Sequence, residues 1–380
     1  MISCLALATL WQTTVVVSTV PELRSAASRA KPGTAILVAP GTYESGVFLE
    51  NLHGTEGQPI VIRSQNPKSP AVFKGSIQLS SVSYVDLIFL RIEGAKTNGL
   101  NIDDGGKVDK PSHHITIRNL QVMDLPKGNH DGIKLSGVQD FRVENCHVER
   151  WGGSGVDMVG CHRGIIVNCS FRDGGDSGVQ GKGGTSEVVV RQCRFLNYGQ
   201  RGVNLGGSTG MEFFRPPVAS MGAAKYEARN LKVEGCTFIG GVSPVAFVGV
   251  DGAEFSFNTI VNPERWAVRI LQETRAEGFV PCRNGLVADN LIVYSGLESA
   301  RLVNIGDATS PQTFKFNRNW WYRSDAPDRS KPNLPVTEAG GTYGVDPKVT
   351  VEGMQVVLGA GSPASKVGAG GYQVANGEKD

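Results

Sequence analysis

The chain repeats itself about every 23 residues, and each repeat carries two short strand motifs. The first reads Gly-apolar-polar-apolar and begins at Gly99, Gly132, Gly155, Gly178 and Gly202. The second reads Asn-Cys-x-apolar or a close variant, and it places Cys146, Cys169, Cys193 and Cys236 in one register. A fixed period of this length, filled with alternating strands and no helical pattern, describes coils stacked into an all-β solenoid. Alternation puts the apolar residues inside and their polar neighbours outside. The four cysteines should therefore stack as reduced thiols in the interior, where free Cys packs as a small hydrophobe. The spacing offers no CxxC pair and no Cys/His zinc pattern. An Asn recurs at the start of the second motif as Asn119, Asn145, Asn168, Asn258, Asn290 and Asn319. It is expected to form one structural ladder at a turn.

Glycine, 49 of 380 residues, suits many tight turns between short strands. A net charge of +2 gives no global field toward nucleic acid or an acidic membrane surface. No apolar stretch reaches the length of a membrane span. The chain is thus expected to bind no nucleic acid, to insert in no membrane and to be a monomer. Residues 1–12 are apolar and include the small-x-small run Ala6-Leu7-Ala8, which reads as the remnant of a secretion signal or as a disordered tail. A secreted, periplasmic or cell-surface location follows from the first reading. Thr19 and Glu22 form a capping box that opens a helix over residues 22–30, stopped by Lys31-Pro32-Gly33. Such a helix would plug the first coil. Residues 13–325 form one solenoid domain in this reading. Residues 326–380, rich in Pro, Gly and Ser, form an irregular tail packed back on it.

The repeat stretches after Gly99, Gly202 and Ala267, always behind the same strand. Such insertions emerge on one edge of a solenoid and wall its binding face. The largest carries Phe213, Phe214 and Tyr226, whose rings would suit sugars if exposed. It is expected to overhang the outer ladder and to be dispensable for stability. Counted from the strand Gly, even offsets point outward. Two residues before it stand His130, Asp176, Gln200 and Arg265; two after it stand Asn101, Lys134, Asp157, Gln180, Asn204, Phe247 and Arg269. Asp103, Ser136 and Lys182 follow at +4, while Asp131 and Arg201 sit just before the strand. Asp and Lys thus alternate at the spacing between strands. A solvated face laced with ion pairs would look the same, but this one lies beside the inserted loops.

Residues 13–325 resemble a right-handed parallel β-helix of the pectin-lyase-like superfamily. The openings Val17-Ser18-Thr19-Val20-Pro21-Glu22-Leu23 and Lys31-Pro32-Gly33-Thr34 and the closing Gly361-Ser362-Pro363-Ala364 are typical of its secreted members. The resemblance implies a single-stranded right-handed parallel β-helix with an N-terminal capping helix. Val179-Gln180-Gly181-Lys182-Gly183 is similar to the lysine strand of the alginate lyase and chondroitinase B group, which implies Lys182 as Brønsted base. The arginine that follows one coil later in that group is Gly206 here, with Arg201 nearby. Asn129-His130-Asp131-Gly132, Asp176-Ser177 and Gln200-Arg201-Gly202 resemble the polygalacturonase-like hydrolases, which implies Asp131 and Asp176 as a paired acid and base.

The function expected is that of a secreted polysaccharide lyase cleaving a uronate-containing glycan by β-elimination. Lys182 or Lys134 would take the proton. Arg201 would disfavour the charged form of Lys182. The uronate carboxylate would be neutralised by Arg201, Arg265 and Arg269, or by Ca²⁺ held on Asp131, Asp157 and Asp176. His130, Asp157, Gln180, Asn204, Arg265, Arg269, Phe213, Phe214 and Tyr226 would contact the polysaccharide. The alternatives are a hydrolase using Asp131 and Asp176, and a non-catalytic glycan-binding or adhesion solenoid.

Overall fold

The structure, a computed structural model, describes residues 13–374. The segment read as a signal remnant lies outside the described residues. Three parallel sheets run the length of the solenoid, two of twelve strands and one of ten. The Gly-motif strands form the ten-stranded sheet, from Val47–Glu50 to Val303–Ile305. The architecture is the solenoid expected from the repeat, in the form of the right-handed parallel β-helix that the resemblance implies.

Leu100, Ile133, Val156, Val179 and Val203 pair in line from coil to coil. The outward neighbours Asn101, Lys134, Asp157, Gln180 and Asn204 therefore form one row about 4.8 Å apart. The next member of that row is Ala246, because Val203 pairs with Val245 and Pro244 takes the place of the strand Gly. Phe247, expected to face outward, points into the core and is fully buried. The row resumes at Arg269.

In one twelve-stranded sheet Phe171, Phe195 and Phe238 stack with centroids 4.9 and 4.6 Å apart, which is the coil spacing itself. Cys146, Cys169, Cys193 and Cys236 are buried free thiols beside them. The asparagines divide into two ladders instead of one. Asn119, Asn145 and Asn168 precede the interior position and have φ of 56°, 54° and 55°, a left-handed turn that Asn tolerates. Asn258, Asn290 and Asn319 stand one residue later, in line with the cysteines. Each is buried, and the Cys236 amide donates to Asn258 Oδ1 at 2.9 Å, starting a chain of amides that continues through Asn290 and Asn319.

The helix Val20–Ser28 begins at Thr19, whose hydroxyl accepts the Glu22 N–H at 3.2 Å. Its buried Leu23, Ala26 and Ala27 join the core, and it lies against Val47–Glu50, the terminal strand of the ten-stranded sheet. At the other end Thr342–Tyr343 adds a last strand to the cysteine-bearing sheet, so the solenoid continues into the segment read as tail. The Trp320 indole donates to the Val345 carbonyl and the Tyr372 hydroxyl to Glu234, which docks the remaining chain on the solenoid.

Candidate active site

The outward row carries an alternating chain of charge. Lys134 Nζ lies 3.0 Å from Asp131 and 2.6 Å from Asp157, and Asp157 reaches Lys182 Nζ at 3.5 Å. Lys182 also donates to Gln180 Oε1 at 3.2 Å. Asp131 and Asp157 are almost fully buried. Asp131 accepts the Ser154 amide as well as Lys134. Burial and the neighbouring Asp157 push the Asp131 carboxyl up, while Lys134 pulls it down. Burial alone would lower the Lys134 pKa, but the carboxylates of Asp157 and Asp131 outweigh it and raise the value above that of an ordinary lysine. Lys134 is therefore a fixed ammonium, the opposite of what a base requires.

Next to this chain a cleft of about 470 Å³ opens across successive coils. Asn129, Asp176, Gln180, Lys182, Arg201 and Glu273 line it. One side of it is glycine backbone. A Cβ on Gly152 or Gly175 would fall 2.0 or 1.9 Å from a carbonyl oxygen of the adjoining turn, so no side chain narrows the opening there. His130 supports that wall through its carbonyl, which accepts the amides of Gly152 and Gly153. Arg201 does not stand as a bare cation beside Lys182, because its guanidinium is paired with Glu273 at 2.7 Å. Asn204 is fully buried, with neither side-chain polar atom partnered among the described residues. Asp176 is exposed and accepts the Ser177 hydroxyl at 3.1 Å, whereas Asp131 is sealed beneath; the two are not presented together as a catalytic pair.

The large insertion is anchored rather than free. Arg215 makes a bidentate ion pair with buried Asp104. Phe214 is buried against Phe279, and Tyr226 is buried with the Arg229 guanidinium 4.8 Å from its ring. Of the three aromatics expected to meet a sugar, only Phe213 is exposed. Buried Glu227 ties the insertion to two other turns, accepting the amides of Gly183 and Thr209 at 3.0 Å each and the hydroxyls of Thr209 and Thr274. Burial raises its pKa against those hydrogen bonds. Glu227 and Glu273 were not expected from the sequence, since both lie in insertions outside the repeat.

Arg265 and Arg269 belong to a different place. The Val268–Leu271 strand is three coils beyond Ser177–Lys182, about 14 Å at 4.8 Å per coil. Neither lines the Lys182 cleft. Calcium, which takes six to eight oxygen ligands, does not fit the expected carboxylates either. Asp131 and Asp157 close on the Lys134 ammonium, and Asp176 stands apart from them. Among the described residues no group of three or more His, Cys, Asp or Glu side chains is placed to hold a metal ion.

The family model of the right-handed β-helix region matches residues 75–216. No curated protein matches the sequence. Among solved structures, the chain is similar to an alginate lyase from Paenibacillus sp. at 18% identity and a TM-score of 0.50, covering 88% of this chain and 99% of that one. It is also similar to pectate lyase Pel9A at 14% identity and 0.54, covering 93% and 86%. A lacto-N-biosidase from Eubacterium ramulus aligns at 14% identity and 0.54, covering 86% and 64%. At these identities the likeness establishes the fold.

Proposed function

We propose that the protein is a polysaccharide lyase acting on a uronate-containing glycan, with Lys182 as the base and Arg201 as the group that meets the uronate carboxylate. The observation that carries this reading is that Lys182 and Arg201, from consecutive coils, line one open cleft that glycines border on one side. The lyases of uronate polymers among the structural relatives support it. In the reaction Arg201, held by Glu273, offers its remaining N–H groups to the carboxylate and stabilises the charge that develops when the C5 proton leaves. Lys182 accepts that proton. The electron pair forms the C4–C5 double bond, and the C4–O bond breaks, its oxygen taking a proton from solvent water, to which Lys182 then returns the one it accepted. Asp157 and Gln180 set the direction of the Lys182 side chain.

The test is incubation with a panel of uronate polysaccharides, read by the absorbance of the unsaturated product. Lys182→Ala should fold normally and lose about 10²–10⁴-fold in rate. Turnover within a few-fold of wild type rejects Lys182 as base. One observation favours a second reading: Asp176 and Glu273 are two carboxylates on the same cleft. Saturated products abolished by Asp176→Asn or Glu273→Gln would replace the lyase with a hydrolase. Binding without cleavage would leave a glycan-binding solenoid.

A further inference from the structure

We propose that Arg265, Trp266 and Arg269 form a second anion subsite, three coils from Lys182, which takes the carboxylate of another uronate in the same glycan chain. The ligand class rests on the lyase reading; the site itself rests on geometry. Both guanidinium carbons lie 4.1 Å from the centroid of the Trp266 ring, a cation–π arrangement that fixes two arginines without neutralising them. Neither makes an ion pair among the described residues, in contrast to Arg201 with Glu273 and Arg283 with Asp251. Arg269 donates only to the Asn304 amide oxygen, at 3.1 Å. Burial, then the positive charges of Arg201 and Arg265, press its pKa down, with Glu273 opposing. An incoming anion relieves that cost. Arg265 and Trp266 line a cleft of about 640 Å³ with Arg301, Asn304 and Glu298, of a size that holds a small ligand, and the Glu298 carboxylate there is paired with Arg301. The planar, forked guanidinium matches a carboxylate. The Arg201 and Arg269 strands are two coils apart, about 9.6 Å at 4.8 Å per coil, and two anionic positions at that spacing call for an oligomer.

The experiment measures calorimetric binding of oligogalacturonates and oligomannuronates, from dimer to octamer, to the Lys182→Ala protein, which holds substrate without turning it over. The same series is run with Arg265→Gln and Arg269→Gln added. Affinity should climb once the chain bridges both clefts. The added pair should remove the climb and weaken octamer binding by at least about tenfold, the loss of one charge-assisted contact. A climb that survives the two substitutions overturns the subsite, and so does equal binding of a neutral octamer. A sulfated octamer that binds in place of the uronates overturns the assignment to carboxylate. Should the double substitution not fold, exposed Arg265 changed alone gives the same readout. The two proposals fail separately: arginine-dependent octamer binding without any unsaturated product from wild type keeps the subsite and rejects the lyase.

Discussion

Lys134 shows how a residue chosen correctly for position can be wrong for role. Its place on the outward row was legible because alternation and period fix which side chains share a face. Its charge state was not, because that depends on two buried carboxylates within 3.0 Å of it. Replacing it by Met would leave Asp131 and Asp157 buried and facing each other, at a cost of about 3–5 kcal/mol at neutral pH. The pH dependence has a definite sign. In the wild type the Lys134 pKa is raised on folding, so its contribution is complete below about pH 10.4 and is lost as pH rises beyond. In the variant buried Asp131 loses the ammonium that opposes its upward shift, and stability falls as pH rises through and above the usual carboxylate range. Melting temperatures should thus show a deficit for Lys134→Met that is larger at pH 7 than at pH 4. A deficit independent of pH would mean that Lys134 contributes packing and not charge.

At the scale of elements, the stacked strands were readable and the departures from the period were not. Register slipped by one at Pro244 because a proline stands where the motif has glycine, and no neighbouring repeat of normal length corrects it. The single asparagine ladder divided in two for a related reason: Asn suits both a left-handed turn and a buried amide chain, and spacing alone does not separate positions one residue apart. The difference has energetic content. Asn290 Oδ1 accepts both the main-chain and side-chain N–H of Asn258, and its own amide donates to Phe255 and Asn319. Asn290→Ala orphans several buried groups at about 1–3 kcal/mol each. Cys193→Ala, in the same row, removes one sulfur and should cost on the order of 1 kcal/mol. Chemical denaturation of the two variants compares them; equal losses would show that the amide chain adds nothing to packing. The insertion at 207–227 is likewise an element held in place. Glu227→Ala strips acceptors from three turns at once, so it should lower the melting temperature by several degrees and also weaken glycan binding. Unchanged stability would restore the reading of a dispensable recognition loop.

Across the whole molecule the solenoid behaves as a one-dimensional stack, in which each coil is stabilised by its neighbours and the ends are the weak points. The buried amide chain needs a terminator, because the position in line after its last asparagine is Gly341, which has no side chain to pair with. Glu338 supplies it. One oxygen accepts the Asn319 main-chain and side-chain N–H at 3.0 and 2.8 Å, and the other accepts the Trp321 indole at 3.0 Å and the Tyr343 hydroxyl at 2.7 Å. Trp321 is fully buried, so removing the carboxylate leaves donors that water does not reach. Glu338→Ala should therefore open the last coil while leaving distant coils closed. In hydrogen exchange, protection should fall first in Trp320–Arg323, then in Leu291–Tyr294, and stay at wild-type level in Ser177–Lys182, which lies several coils away. Activity at the Lys182 cleft should persist at temperatures where the terminal coil already exchanges freely. Loss of protection in all coils together would instead mean that the stack unfolds as one cooperative unit, with the end carboxylate setting the stability of the site far from it.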